Sequence, residues 1–172
     1  MALIATRLPK NFLPSDRPAG VLSADQLHIV GQVLKHSSFP SGHSFTAFAF
    51  AALIIFLSKR RVLAALLLLP LAALIAFSRI AVGAHWPADV FAGAALGWIC
   101  GLWGAWIAAR WRWWNSGKGT RIMAGLIALV GISLFFEKPG FPPSNYLQYL
   151  LGIVAVACGA AALVNPRPLK LA

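Results

Sequence analysis

Apolar residues in this chain gather into five long runs, each closed by a short polar break. The first covers about 43–58 and ends at Ser58-Lys59-Arg60-Arg61; the second, about 62–78, carries Pro70, which predicts a kink. The third covers about 87–109 and ends at Arg110-Trp111-Arg112-Trp113-Trp114. The fourth, about 121–136, stops at Glu137-Lys138-Pro139-Gly140, and the fifth, about 146–164, at Asn165-Pro166. A bilayer-spanning helix needs roughly 20 apolar residues, so only the third run is long enough unaided. Flanking residues must extend the others, or the bilayer must adapt to them. Residues 1–38 are mixed in character and punctuated by Pro14, Pro18 and Gly20, which predicts loop and short helix instead of a span. The pattern predicts an all-α, polytopic membrane helix bundle of about five apolar helices, in a single domain over 1–172.

Composition agrees with the pattern. The chain is 59% hydrophobic and 11% charged, and its mean hydropathy is +0.75. A formal charge of +11 could suggest a nucleic-acid partner, but no basic helix or aromatic–basic interleaving typical of RNA binders appears. The charge lies in short loops between apolar runs, where membrane topology puts it. With residues 1–42 on one side, that side holds Arg7, Lys10, Arg17, Lys35, Arg79 and Lys138, together with the acids Asp16, Asp25, Asp89 and Glu137. The opposite side holds Lys59, Arg60, Arg61, Arg110, Arg112, Lys118, Arg121, Arg167 and Lys170. The richer side is cytoplasmic by the positive-inside rule, so residues 1–42 and the 79–89 loop face outward. Cys100 and Cys158 sit within apolar runs at no metal or redox spacing, and read as buried small hydrophobes. Gly93, Gly97, Gly101 and Ala105 make a stripe of small residues that would let another helix approach closely, as in a helix–helix oligomer. Trp106, Trp111, Trp113 and Trp114 resemble an interfacial belt.

Two polar stretches carry the candidate chemistry. Ser78-Arg79-Ile80-Ala81-Val82-Gly83-Ala84-His85-Trp86-Pro87-Ala88-Asp89 interrupts the apolar pattern, and Pro87 suits the first turn of a new helix. His85 and Asp89 are four apart, so on a helical turn they share a face and can hydrogen-bond. A carboxylate on one imidazole nitrogen leaves the other to attack or to take a proton. Arg79 offers a planar fork suited to phosphate. The plainer reading is a His–Asp pair at the membrane interface. Upstream, Phe39-Pro40-Ser41-Gly42-His43-Ser44 opens the first run, with Ser41 as N-cap. The free N–H groups of that first turn make an anion site, and Gly42 lets a ligand approach the backbone. A His at a helix start is, however, commonly only a cap. His28 and His36 match neither stretch and read as surface residues.

Three stretches in order, Lys10-x6-Arg17-Pro18, Pro40-Ser41-Gly42-His43 and Ser78-Arg79-x5-His85-x3-Asp89, resemble the type 2 phosphatidic acid phosphatase superfamily. That superfamily shares its site with vanadium haloperoxidases and bacterial acid phosphatases. The resemblance covers about residues 7–109, leaving the helices over about 121–164 outside the motif set. It implies His85 as a nucleophile forming a phosphohistidine, Asp89 as its orienting partner, and His43 as the acid that protonates the leaving oxygen. It implies phosphoryl-oxygen binding by Lys10, Arg17, Ser41, Gly42 and Arg79. Two Arg, one Lys and a helix N-terminus suit the three equatorial oxygens of a phosphoryl group in transfer. With no carboxylate cluster to hold Mg²⁺, neither metal nor cofactor is expected. A cationic acid and a neutral nucleophile imply a bell-shaped pH profile.

The expected function is therefore a metal-independent lipid phosphate or diphosphate phosphatase acting at the outer leaflet of a bacterial inner membrane. Its partners are membrane lipids and a lipid phosphate; phosphatidic acid, phosphatidylglycerol phosphate, polyprenyl diphosphate and lipid A phosphate all satisfy the pattern. A phosphotransferase between lipids and a catalytically silent membrane binding protein are the competing readings; the haloperoxidase relatives are soluble. Members of the membrane branch carry helices before the first motif, whereas Lys10 stands almost at the start of this chain. Either N-terminal spans are lacking, or a basic tail crosses the membrane unaided.

Overall fold

The computed structural model describes residues 15–23, 26–27, 33–111, 113, 116–136 and 145–165. Lys10, Asp25, His28, Arg112, Trp114, Glu137 and Lys138 lie outside them, as do Arg7, Arg167 and Lys170. The described residues are all-helical, with α1 Pro18–Val21, α2 Gly42–Leu57, α3 Arg61–Ala81, α4 Pro87–Arg110, α5 Gly117–Ser133 and α6 Asn145–Val164. The chain separates into two compact units, with the boundary after Ile107.

The polar breaks seen in the sequence are the helix ends. Ser41 caps α2 by accepting from Ser44 N, and Pro87 occupies the first position of α4. α3 runs through Pro70 and on to Ala81. That extension past residue 78 makes it long and apolar enough to cross a membrane, as are α4 and α6. Two more helices therefore reach spanning length than the apolar runs suggested, because polar residues such as Arg61 and Asn145 are wound into helix ends. α2, at 16 residues, stays shorter.

In the first unit α2 packs on α3 through Ala51, Ile55 and Ala72, flanked by Phe48, Leu68, Leu69 and Trp98. On its other side α2 lies directly on α4. A Cβ at Gly93 would stand 2.4 Å from Ser41 O, at Gly97 2.2 Å from Phe45 O, and at Gly101 2.4 Å from Ala49 O. The small-residue stripe is thus occupied by α2 of the same chain. This corrects the expectation that Gly93, Gly97 and Gly101 offer a face to a second copy: backbone has already taken the space that an oligomer would need.

Away from these contacts the helices are apolar outward. Phe91 is 72% and Trp103 71% exposed, with Leu66, Leu67, Leu74 and Phe77 similarly uncovered. An apolar outer surface on span-length helices is that of a membrane protein, solvated by lipid. Cys100 and Cys158 share this outward face and are exposed, not buried as expected. In hydrocarbon an outward thiol is still in apolar surroundings, so burial in protein is not required. The Trp106, Trp111 and Trp113 rings are also exposed. In the second unit α5 and α6 pack as a hairpin on Gly131, Gly152 and Gly159. Phe135 stacks on Tyr149 at 5.7 Å there, and Gln148 Nε2 donates to Leu134 O.

Candidate active site

The site grows from the way α3 ends and α4 begins. After Ala81 the chain turns through Gly83, whose φ of 66° lies in the left-handed region open to glycine. The turn folds back so that Arg79 O accepts from both Ala84 N, at 3.0 Å, and His85 N, at 3.2 Å. Two residues later α4 starts, and Asp89 in its first turn reaches back so that Oδ2 accepts from Trp86 N at 3.0 Å. This is the acidic half of a capping box, which ties the carboxylate to the helix start. His85 and Asp89 are both 4% exposed.

The sequence expectation of a direct His85–Asp89 hydrogen bond is replaced by an arrangement through a third residue. His85 stands just before the helix, and Nδ1 lies 3.7 Å from Asp89 Oδ2, an ion-pair distance longer than a hydrogen bond. Between them sits Ser38, fully buried, whose Oγ donates to Asp89 Oδ2 at 2.5 Å and lies 3.4 Å from His85 Nδ1. Ser38 was not singled out from the sequence. A serine just before Phe39-Pro40 reads as loop, and only the fold carries it across 51 positions to Asp89.

The other stretches converge on the same place. Ser41 N donates to Asp89 O at 3.0 Å, which sets the N-terminus of α2 against that of α4. His43 follows within the first turn of α2 and is exposed. At Gly42 a Cβ would meet nothing within 4 Å among protein atoms, so packing does not demand glycine there. Arg17 is 8% exposed and its guanidinium is spread over three carbonyls. Nε donates to His36 O at 3.0 Å, one Nη to Ala84 O at 3.1 Å and the other to Ser37 O at 3.3 Å. Arg17 thereby bridges the loop before α2 and the loop before α4. Burial lowers its pKa below the ordinary arginine value, and the charge of Asp89 opposes that shift. Arg79, in the last turn of α3, bonds through Nε to Ser78 Oγ at 3.1 Å. At the rim, His36 Nδ1 pairs with Asp16 Oδ1 at 2.7 Å, and Trp86 Nε1 donates to Asp16 O at 2.8 Å. Of the eight residues expected at the site, seven fall in this network or beside it; Lys10 lies outside the described residues.

A buried histidine beside a carboxylate, two helix N-termini and two arginines thus stand together in the first unit. Residues 1–116 match the PAP2 superfamily, and the chain belongs to it. Over 90 residues the chain is 44% identical to the Escherichia coli (strain K12) protein named "Putative undecaprenyl-diphosphatase YbjG". The match takes in 52% of this chain and 42% of that relative, so the chain spans less than half the relative's length. No solved structure matches the chain.

Proposed function

We propose that this protein hydrolyses a lipid phosphate or diphosphate through a phosphohistidine on His85, at the outer leaflet of a bacterial inner membrane. The observation that carries the reading is the Ser41 N to Asp89 O hydrogen bond, which joins the starts of α2 and α4. Each helix start carries about half a positive charge, so their meeting, with Arg17 behind them, favours a phosphoryl group. The E. coli relative's name points to a diphosphate on a long polyprenyl chain, and the apolar outer face of the helices suits such a tail.

In the first step His85 Nε2 attacks the terminal phosphorus. The P–N bond forms, the P–O bond to the lipid breaks, and its electron pair leaves on the lipid oxygen. His43, as the acid, gives that oxygen a proton. In the second step His43 takes a proton from water, the water oxygen attacks phosphorus, and the P–N electron pair returns to the imidazole. Arg79, Arg17, Ser41, Gly42 and Lys10 hold the three equatorial oxygens, whose charge they stabilise most as it spreads in transfer. Asp89 offsets the positive charge that His85 gains while phosphorylated.

Phosphate release by the purified protein in detergent tests the reading. A polyprenyl diphosphate should be turned over in the presence of EDTA, and vanadate should inhibit by taking the phosphoryl position. Activity lost on chelation and restored by Mg²⁺ would contradict it. His43→Ala has a distinct signature, because general acid catalysis contributes roughly 10²–10⁴-fold only where the leaving oxygen needs its proton. The loss should be severe with a lipid alcohol and small with a nitrophenolate; equal losses would remove His43 from the acid's role. Sidedness follows from the basic residues at 59–61 and 110–121. In a background lacking Cys100 and Cys158, a cysteine at Ser116 should label from the cytoplasm and one at Ser23 from outside. The reverse pattern would move the site to the inner leaflet.

A further inference from the structure

We infer that Ser38 is a positioning residue that sets the tautomer of His85, standing as a hydroxyl bridge between the imidazole and Asp89. The argument rests on one proton. A serine hydroxyl has a single O–H to donate and lone pairs with which to accept. Its 2.5 Å contact with Asp89 Oδ2 is the short kind made by a hydroxyl on a carboxylate. Asp89 Oδ2 also accepts from Trp86 N, so that oxygen is acting as an acceptor on both sides and the shared proton belongs to Ser38. With its proton committed, Ser38 Oγ can only accept toward His85 Nδ1, 3.4 Å away. Nδ1 must then carry the ring proton, and the lone pair of the neutral imidazole is on Nε2. Asp89 alone fixes this poorly, since its nearest oxygen is 3.7 Å from Nδ1.

The backbone around Ser38 is built to hold the hydroxyl in place. Ser37, just before it, takes a φ of 59°, a left-handed conformation costly for a residue with a Cβ. Arg17 grips the two carbonyls on either side of that bend, His36 O and Ser37 O. Ser38 N donates to Ser15 O at 3.0 Å, and Phe39 N donates to Ser15 Oγ at 2.8 Å. The Ser38 side chain is fully buried, with no solvent to compete for its proton. Strain that persists because its surroundings over-determine it is characteristic of functional positions.

The inference deepens the phosphohistidine reading and, for its effect on rate, rests on it. A fixed Nε2 lone pair is what an attacking imidazole needs. As the P–N bond forms, the ring's new charge is spread from Nδ1–H to Ser38 and on to Asp89.

The test is the tautomer itself, read by long-range ¹H–¹⁵N correlation on ¹⁵N-histidine protein in detergent, above the pH at which His85 is protonated. The chain has four histidines, and loss of one signal in His85→Gln assigns it. In the wild type, His85 should give a protonated Nδ1 and an unprotonated Nε2. Ser38→Ala should convert this to a mixture containing the Nε2–H form, and lower kcat by about 10- to 100-fold with a smaller change in KM, less than the roughly 10⁴-fold of a fully wrong tautomer. Ser38→Thr, which keeps the hydroxyl, should restore the wild-type pattern. A wild-type His85 protonated on Nε2 would overturn the inference, and needs no variant to fold. An unchanged tautomer in folded Ser38→Ala would overturn it equally. If the wild-type tautomer is as stated, and is lost in Ser38→Ala, but no lipid phosphate is turned over, the positioning of His85 stands and the phosphatase reading fails.

Discussion

His85→Ala should leave a folded membrane protein whose phosphate release falls by a factor on the order of 10⁴ or more. The size follows from the role. In a two-step transfer the imidazole forms and then breaks the bond to phosphorus, so its removal takes away both steps. The folded state should survive, because His85 lies in the loop between α3 and α4 and the helix contacts through Gly93, Gly97 and Gly101 do not involve it. Substrate should still bind, since Arg17 and the two helix starts remain. Turnover within tenfold of wild type would exclude His85 as the nucleophile.

Gly93→Ala should also be damaging, although less so and without touching substrate. The new Cβ would stand 2.4 Å from Ser41 O and 3.3 Å from Phe45 N, both backbone atoms that no side-chain rotation can move. The start of α2 must therefore shift away from α4 by close to an ångström, stretching the Ser41 N to Asp89 O bond. A displacement of about 1 Å in a catalytic constellation costs roughly 10²-fold, or about 2.7 kcal/mol of barrier. Overpacking adds about 1–3 kcal/mol of destabilisation. Activity should fall about 100-fold while the helices persist by circular dichroism. Gly42→Ala, where a Cβ meets no protein atom, is the contrast: stability should be unchanged, so any loss would report on substrate approach. Wild-type activity in Gly93→Ala would mean the junction of α2 and α4 is not part of the reacting geometry.

The helices were legible because polar residues in a bilayer protein concentrate at the ends of spans, so Ser41 and Pro87 marked their starts closely. Span lengths were less so, since Arg61 and Asn145 look like loop until their backbone is seen to continue the helix. The small-residue stripe announced a close approach but not its partner, because a flat glycine face suits any helix and sequence carries no distance. Cys100 and Cys158 were misjudged by a rule from water-soluble proteins, where apolar means inside. At the site, Ser41, His85 and Asp89 could be picked out by residue type and spacing, and Arg17 only through the family resemblance. Ser38 could not, since its role depends on a bend at Ser37 and on Arg17, 21 residues upstream, holding that bend.

The most direct test of the account is the chemical nature of the intermediate. Wild-type protein is mixed with a polyprenyl diphosphate labelled with ³²P at the terminal phosphorus, quenched in alkali within a turnover, and digested. The account predicts label that survives alkali, is lost in acid, and lies on the peptide containing His85. Turnover with no labelled protein, or label stable to acid on a hydroxyl side chain, would contradict it.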